Sequence, residues 1–139
     1  MPVPIEQSLE VPSDLAQLDQ VLGWFAQARP EWVQKTIWLQ LELALAEAFT
    51  NAVRHAHHHN PEPPPVLIEL QGTATAVELK VWDHGPTFNL EEKLATLPEQ
   101  ISPDQDGGRG LKLLQNIASE LEYQRIGSQN CLILRKLLD

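Results

Sequence analysis

The stretch Leu41 to His59, LELALAEAFTNAVRHAHHH, contains neither proline nor glycine and is rich in alanine and leucine. Those residues give up little rotamer freedom in a helix, so the stretch must be one. From Leu43 to Val53 its apolar residues run nearly all the way round the axis, the pattern of a buried helix. Yet Glu47, Thr50, Asn51 and Arg54 interrupt it. At about 100° per residue these four share one sector, with His55 and His58 near its edge. Glu47 and Asn51 are four apart and lie one above the other. A carboxylate and an amide at the edge of a buried helix cost free energy unless something binds them. The sector is therefore either a solvated stripe on a half-buried helix or a binding face.

The rest of the chain narrows that choice. It has 139 residues, which fits a single domain over 1–139 with its own core. The net charge is −9 with 10 basic residues, which disfavours a nucleic-acid surface. An acidic surface aids solubility and leaves room for a basic protein partner. Cys131 is the sole cysteine, so no internal disulfide can form. Its neighbours Leu132, Ile133 and Leu134 mark it as a packed strand residue. The first residues, MPVPIEQSLEVP, do not pair a basic region with a long apolar run, so no signal peptide is expected. No apolar run is long enough for a membrane span, and the cytoplasm is the expected compartment.

Ile5 to Val11 reads as a strand ended by Pro12. Ser13 is placed to cap a helix reaching about Ala28, with Leu15, Leu18, Leu22 and Phe25 as its apolar stripe. Arg29, Pro30 and Glu31 break the chain before a long helix from about Trp32 to His57. Asn60 to Pro65, NPEPPP, cannot continue it. Val66 to Leu70 and Ala76 to Asp83 then form an antiparallel hairpin that turns at Gly72 and Thr73. Val77, Leu79, Val81 and Asp83 share one parity, so Asp83 faces the buried side at a strand end.

His84 to Asp106 is irregular, with room for one helical turn near Leu90 to Leu97. It is long for so small a domain, the length of a functional lid. Gly107-Gly108-Arg109-Gly110 follows, leading a helix with Leu111, Leu114, Ile117 and Leu121 on one face. A last hairpin, Leu121 to Ile126 and Cys131 to Lys136, turns at Gly127 to Asn130. Strands set apart from helices in this way point to an α+β fold, a two-layer sandwich of one mixed sheet covered on one face by helices.

Glycines at a helix start let the backbone approach an anion, whose charge the free N–H groups and the helix dipole favour. No Gly-Lys-Ser/Thr follows, and the motif does not directly follow a strand. It is thus neither a Walker loop nor a dinucleotide fingerprint.

Three elements stand in fixed order: a polar helix face (Glu47, Asn51, His55), a strand-end Asp83-His84-Gly85, and Gly107 to Gly110 at a helix start. This order resembles the GHKL ATPases, the superfamily of DNA gyrase, histidine kinases and mismatch-repair ATPases. It is most similar to the bacterial anti-sigma factor serine/threonine kinases. Their N box, Glu-x-x-Thr-Asn-x-x-x-His-Ala, is matched by Glu47 to Ala56. Val81 to Gly85 resembles their first glycine box, and Gly107 to Leu111 their second. The resemblance implies a Bergerat-type ATP-binding fold.

It also implies roles. Asn51 would bind Mg²⁺ through its amide oxygen, with ATP phosphates completing the shell. Glu47 would be the catalytic residue, acting as general base on a serine hydroxyl or orienting the nucleophile. Asp83 would accept from the adenine amino group, and Gly85 would pass beneath the purine. Gly108, Arg109, Gly110 and Leu111 would form the phosphate-binding turn, and Pro86 to Asp106 the lid. Two departures stand out. Thr87-Phe88 replaces a second glycine, as in the anti-sigma subgroup. Asp104-Gln105-Asp106 stands where some relatives carry a phosphate-reaching arginine.

The function so implied is an ATP-dependent protein serine kinase that binds a sigma factor and phosphorylates its antagonist protein, with a homodimer as a further option. Two alternatives remain at this level: a non-catalytic ATP-binding module that holds a partner, and a detached histidine-kinase catalytic domain. The last lacks a preceding helix with a phosphorylatable histidine. His57-His58-His59, with His55, has helical spacing for a metal pair but no carboxylate or cysteine cluster beside it. A solvated helix end favoured by the dipole accounts for it.

Overall fold

The computed structural model describes residues 4–59, 61–84 and 108–138, with the backbone alone at 55–59 and 108–111. Strand β1 (Ile5–Val11) leads through a 3₁₀ turn (Leu15–Gln17) to helix α1 (Leu18–Gln27) and the long helix α2 (Lys35–His59). Strands β2 (Val66–Gly72) and β3 (Ala76–Asp83), helix α3 (Gly108–Ile117), and strands β4 (Glu120–Ile126) and β5 (Gln129–Leu137) follow. The helices cover one face of a five-stranded sheet of order β1-β2-β3-β5-β4.

A mixed sheet was the expectation, yet every pairing is antiparallel. The reason lies in how α3 returns the chain. It delivers β4 parallel to β3 but one place away, and the β4–β5 hairpin then folds β5 back into the gap. The hairpin loop is two residues long, and Gly127 takes φ 62°. Positive φ at its first central position alone is the sign pattern of a type II′ turn, whose twist matches that of flanking strands.

Helix α2 is less buried than its composition suggests. Leu41, Ala44, Leu45, Ala48, Phe49, Ala52 and Val53 are buried, at the i, i+3, i+4, i+7 spacing of one face. Leu39 and Leu43 are about half exposed. The helix therefore has more leucine than its buried stripe uses.

Two start positions also differ from the sequence reading. Asp14, not Ser13, caps the first turn, accepting from the Ala16 N–H at 3.0 Å, and Ser13 is itself buried. Helix α2 begins at Lys35 rather than Trp32, because residues 30–33 are held as a turn. There Val33 N–H donates to the Pro30 carbonyl at 3.2 Å, and Arg29 Nη1 to the Val33 carbonyl at 2.9 Å. Trp32 instead reaches the β2–β3 turn, its Nε1 donating to the Thr73 carbonyl at 3.2 Å. β2 runs on through Gly72, whose backbone lies under Ile5, so the turn falls at 73–75.

The core lies between the helices and the inner sheet face. Val66, Ile68, Leu70, Val77, Leu79, Val81 and Leu134 meet Phe49, Leu45 and Leu114 there. Phe25 of α1 stacks on Trp38 of α2 with centroids 4.2 Å apart and planes within 3°. Trp38 Nε1 also donates to the Phe25 carbonyl at 2.8 Å, so the pair is buried with its one polar atom satisfied. The outer sheet face is polar, with Glu78 between Arg135 at 3.0 Å and Lys80 at 3.7 Å, and Trp82 Nε1 donating to Glu69 at 2.6 Å. Cys131, opposite Trp82, is buried on that outer face, and burial pushes its thiol up to about 11. It is the packed strand residue expected, an inert thiol. Among the described residues no helix is long and apolar enough to cross a membrane.

Candidate functional site

The connections decide which ends of the elements meet. Helix α2 ends just before the 61–65 segment that enters β2, and β2 starts beside the end of β3, Leu67 opposite Trp82. The C-terminal end of α2 and Asp83 therefore share one end of the molecule. The Trp32–Thr73 bond marks the opposite end. At 1.5 Å per residue, Asn51 lies about 24 Å along α2 from Lys35. At about 3.3 Å per residue, Asp83 lies about 23 Å along β3 from Ala76. Helix and strand thus carry Asn51 and Asp83 to about the same height.

Helix α3 reaches the same end by its N-terminus. Its C-terminal end passes through Ser119, whose N–H donates to the Arg135 carbonyl and whose Oγ accepts from Leu137 N–H. Arg135 pairs with Glu78, near the start of β3. So α3 runs antiparallel to β3, packed on α2, and Gly108 begins it at the Asp83 end. Gly108, Arg109 and Gly110 are the first helical turn rather than a loop ahead of it. The N–H groups of that turn have no intrahelical acceptor, which makes it an anion-favouring terminus.

On α2, Glu47 is half-buried and Asn51 follows one turn later. The Asn51 Nδ2 is buried and without a hydrogen-bond partner among the described residues. A buried donor left unpaired in this way costs about 1–3 kcal/mol. His84 Nδ1, next to Asp83, is likewise buried and unpartnered there. Two orphaned buried polar atoms close to an acidic strand end are what a ligand-binding pocket looks like without its ligand's atoms counted.

Asp83 is 5% exposed, as its parity requires. It does not stand alone. Asn130, opposite it on β5 and fully buried, donates Nδ2 to Asp83 Oδ1 at 3.0 Å. Arg125 Nη1 donates to Asn130 Oδ1 at 3.0 Å, and its Nε to the Gly127 carbonyl at 3.1 Å. Tyr123 is near enough that its phenol is raised well above the ordinary range, first by burial and then by the Asp83 carboxylate, with Arg125 opposing. Asn130 had been assigned to a turn. Counting back by two from Leu134 and Leu132 would have put it on the buried face. Arg125 and Tyr123 carry no comparable signal.

Gly85, the lid 86–106 with its proposed helical turn, and Gly107 lie outside the described residues. The side chains of His55, His57 to His59, Arg109 and Leu111 lie outside them too. Among the described residues no cluster of three or more His, Cys, Asp or Glu could hold a metal. Asn51 fits Mg²⁺ in a different way. Its Nδ2 has no partner among the described residues, its amide also offers one hard oxygen, and Mg²⁺ commonly takes one or two protein ligands with phosphate and water as the remainder.

Comparison with known proteins bears on this geometry. Residues 11–136 match the family model of the histidine kinase-like ATPase domain. The serine-protein kinase RsbW of Bacillus licheniformis is 30% identical over 89 residues, which is 60% of this chain and 55% of that protein. The serine/threonine-protein kinase BtrW of Bordetella bronchiseptica is 32% identical over 95 residues, 68% of this chain and 66% of that protein. The chain thus spans between half and two thirds of these curated relatives. Among solved structures, the RsbU and RsbW domains of Rv1364c from Mycobacterium tuberculosis superpose with TM-score 0.63 at 14% identity, over 96% of this chain and 32% of that one. The Acinetobacter baumannii histidine kinase AdeS gives 0.57 at 17%, over 96% and 68%. At such identities the structural likeness establishes the fold alone.

Proposed function

We propose a function from one established premise: this chain belongs to the histidine kinase-like ATPase domain family. It is an ATP-binding protein serine kinase of the anti-sigma type, which binds a sigma factor and phosphorylates the antagonist protein that competes for it. The names of its relatives, serine-protein kinase RsbW and BtrW, support the kinase class. The observation that carries the reading is the buried Asn51 Nδ2 without a partner among the described residues, one turn past Glu47, at the height of Asp83 and of the α3 N-terminus.

Each residue has one task in this scheme. Asp83, an acceptor in a buried setting, takes the amino group of adenine, and Gly85 borders the ring. The backbone N–H groups of Gly108, Arg109, Gly110 and Leu111 face the phosphates. Asn51 holds Mg²⁺, which when bound neutralises phosphate charge. Glu47 accepts the proton of the attacking serine hydroxyl. Its position on the same helix face as Asn51, four residues earlier, keeps base and metal ligand in fixed relation.

Asp104 and Asp106 favour a second reading, a holder that binds nucleotide and partner without transfer, because the sequence just before the glycine box brings negative charge and phosphoryl transfer needs positive charge. Single-turnover labelling from γ-labelled ATP, with the antagonist encoded nearby as acceptor, separates the two. Wild type should label a serine, and Glu47→Gln should lose about 100-fold or more in rate while ATP binding persists. Tight antagonist binding without label would establish the holder. Equal labelling by both proteins would remove Glu47 as the base.

A further inference from the structure

We propose that Asn130 and Arg125 are positioning residues that aim the Asp83 carboxylate, making the purine pocket selective for a 6-amino over a 6-oxo group. The proposal rests on the reading of Asp83 as the purine contact and adds how that contact is kept in register.

A carboxylate at a strand end can turn about its last side-chain bond, and both of its oxygens only accept. Asn130 removes that freedom by donating to Oδ1 at 3.0 Å from a fully buried position. An asparagine amide has its own ambiguity. Turned over, it would set its oxygen against the carboxylate, acceptor against acceptor. Arg125 excludes the turned form, because its Nη1 donates to Asn130 Oδ1 at 3.0 Å and a guanidinium can only donate. Arg125 is held in turn by the Gly127 carbonyl at 3.1 Å, inside the tight turn between β4 and β5. Both bonds of the relay have a charged partner, which makes them stronger than neutral ones.

The relay matters for choice of base. A 6-amino purine gives a hydrogen to a fixed carboxylate. A 6-oxo purine presents lone pairs to it and leaves a buried acceptor unpaired, the situation that produces strong rejection. If the carboxylate loses the bond that sets its plane, the amino group loses its well-aimed acceptor, and the penalty on the oxo group softens.

The test is calorimetric titration with Mg·ADP and Mg·IDP on wild type, Asn130→Leu and Arg125→Met. Wild type should bind ADP far more tightly than IDP. Asn130→Leu should reduce the ADP-to-IDP affinity ratio by about tenfold or more, the worth of one charge-assisted hydrogen bond. Arg125→Met should reduce it by about threefold to tenfold, mainly by weakening ADP. Arg125 is exposed, so its variant keeps the test decisive if Asn130→Leu does not fold. An unchanged ratio in folded variants, with wild type still discriminating, would overturn the relay and leave the nucleotide reading intact. Wild type binding neither nucleotide would remove the nucleotide reading, and the relay with it.

Discussion

Early in α2, Trp38 lies flat on Phe25 and gives its indole N–H to the Phe25 carbonyl. Later in the same helix, Asn51 buries an amide nitrogen that no described group accepts. The two regions share a helix and a core, yet one satisfies every polar atom it buries and the other does not. A packed region gains nothing from an amide N–H left without an acceptor, and among the described residues the second half of α2 carries that cost. The difference separates the part of the helix that holds the fold from the part that carries the proposed site.

The first way to break this comparison is Trp38→Ala. Removing a buried stacked ring with a satisfied N–H should cost about 3–5 kcal/mol in denaturant unfolding. A loss of less than 1 kcal/mol would mean that the first half of α2 is not the structural half.

Asn51→Ala sharpens the other side. Wild type should gain about 2.7 kcal/mol from Mg·ADP at 100 times its Kd, read as a rise in melting temperature, and the variant should lose most of that gain. Without nucleotide the variant should be more stable than wild type by about 1 kcal/mol, because the orphaned amide is gone. A destabilised variant would show that Asn51 serves the fold after all.

The smallest effect concerns pH. The Cys131 thiol is raised from 9.0 to about 11 by burial. The folded chain therefore holds that proton more tightly than the unfolded chain. Its contribution is complete below pH 9 and is lost as pH rises through about 11. Between those values wild type should lose on the order of 1–2 kcal/mol more than Cys131→Ala, measured by urea midpoints. Parallel curves would mean that water reaches the thiol, and that the outer sheet face near the site is not dry.

How much of this was legible depended on whether a residue's surroundings were local. β1 and β3 were read with their true limits because proline and alternation are local signals. Asp83 was placed on the buried face by parity alone. The start of α2 was misplaced because the turn at 30–33 is held by Arg29 and by a tryptophan reaching Thr73, contacts across the fold. The sheet was expected to be mixed because adjacency of strands, unlike their existence, is settled by how α3 returns the chain. The same limit hid Asn130. Gly-Ser-Gln-Asn reads as a turn from end to end, and only the register opposite Asp83 shows that its last residue belongs to the interior.

The central place of β5 has a consequence for synthesis. It leaves the ribosome after the other four strands of the sheet, yet it sits between β3 and β4. Until its residues emerge, the inner edge of β3, from Ala76 to Asp83, has no neighbour on that side. A nascent chain can form β1, β2 and β3 as an antiparallel sheet against α2, but it presents an open strand edge for as long as translation of residues 84–137 takes. At 5–20 residues per second that interval is about 3–11 seconds, long beside hairpin closure in microseconds. Holding factors and aggregation would compete for that edge in this window. Asp83 would meet Asn130 only when the window closes, so an incomplete chain has the acid without the amide that orients it.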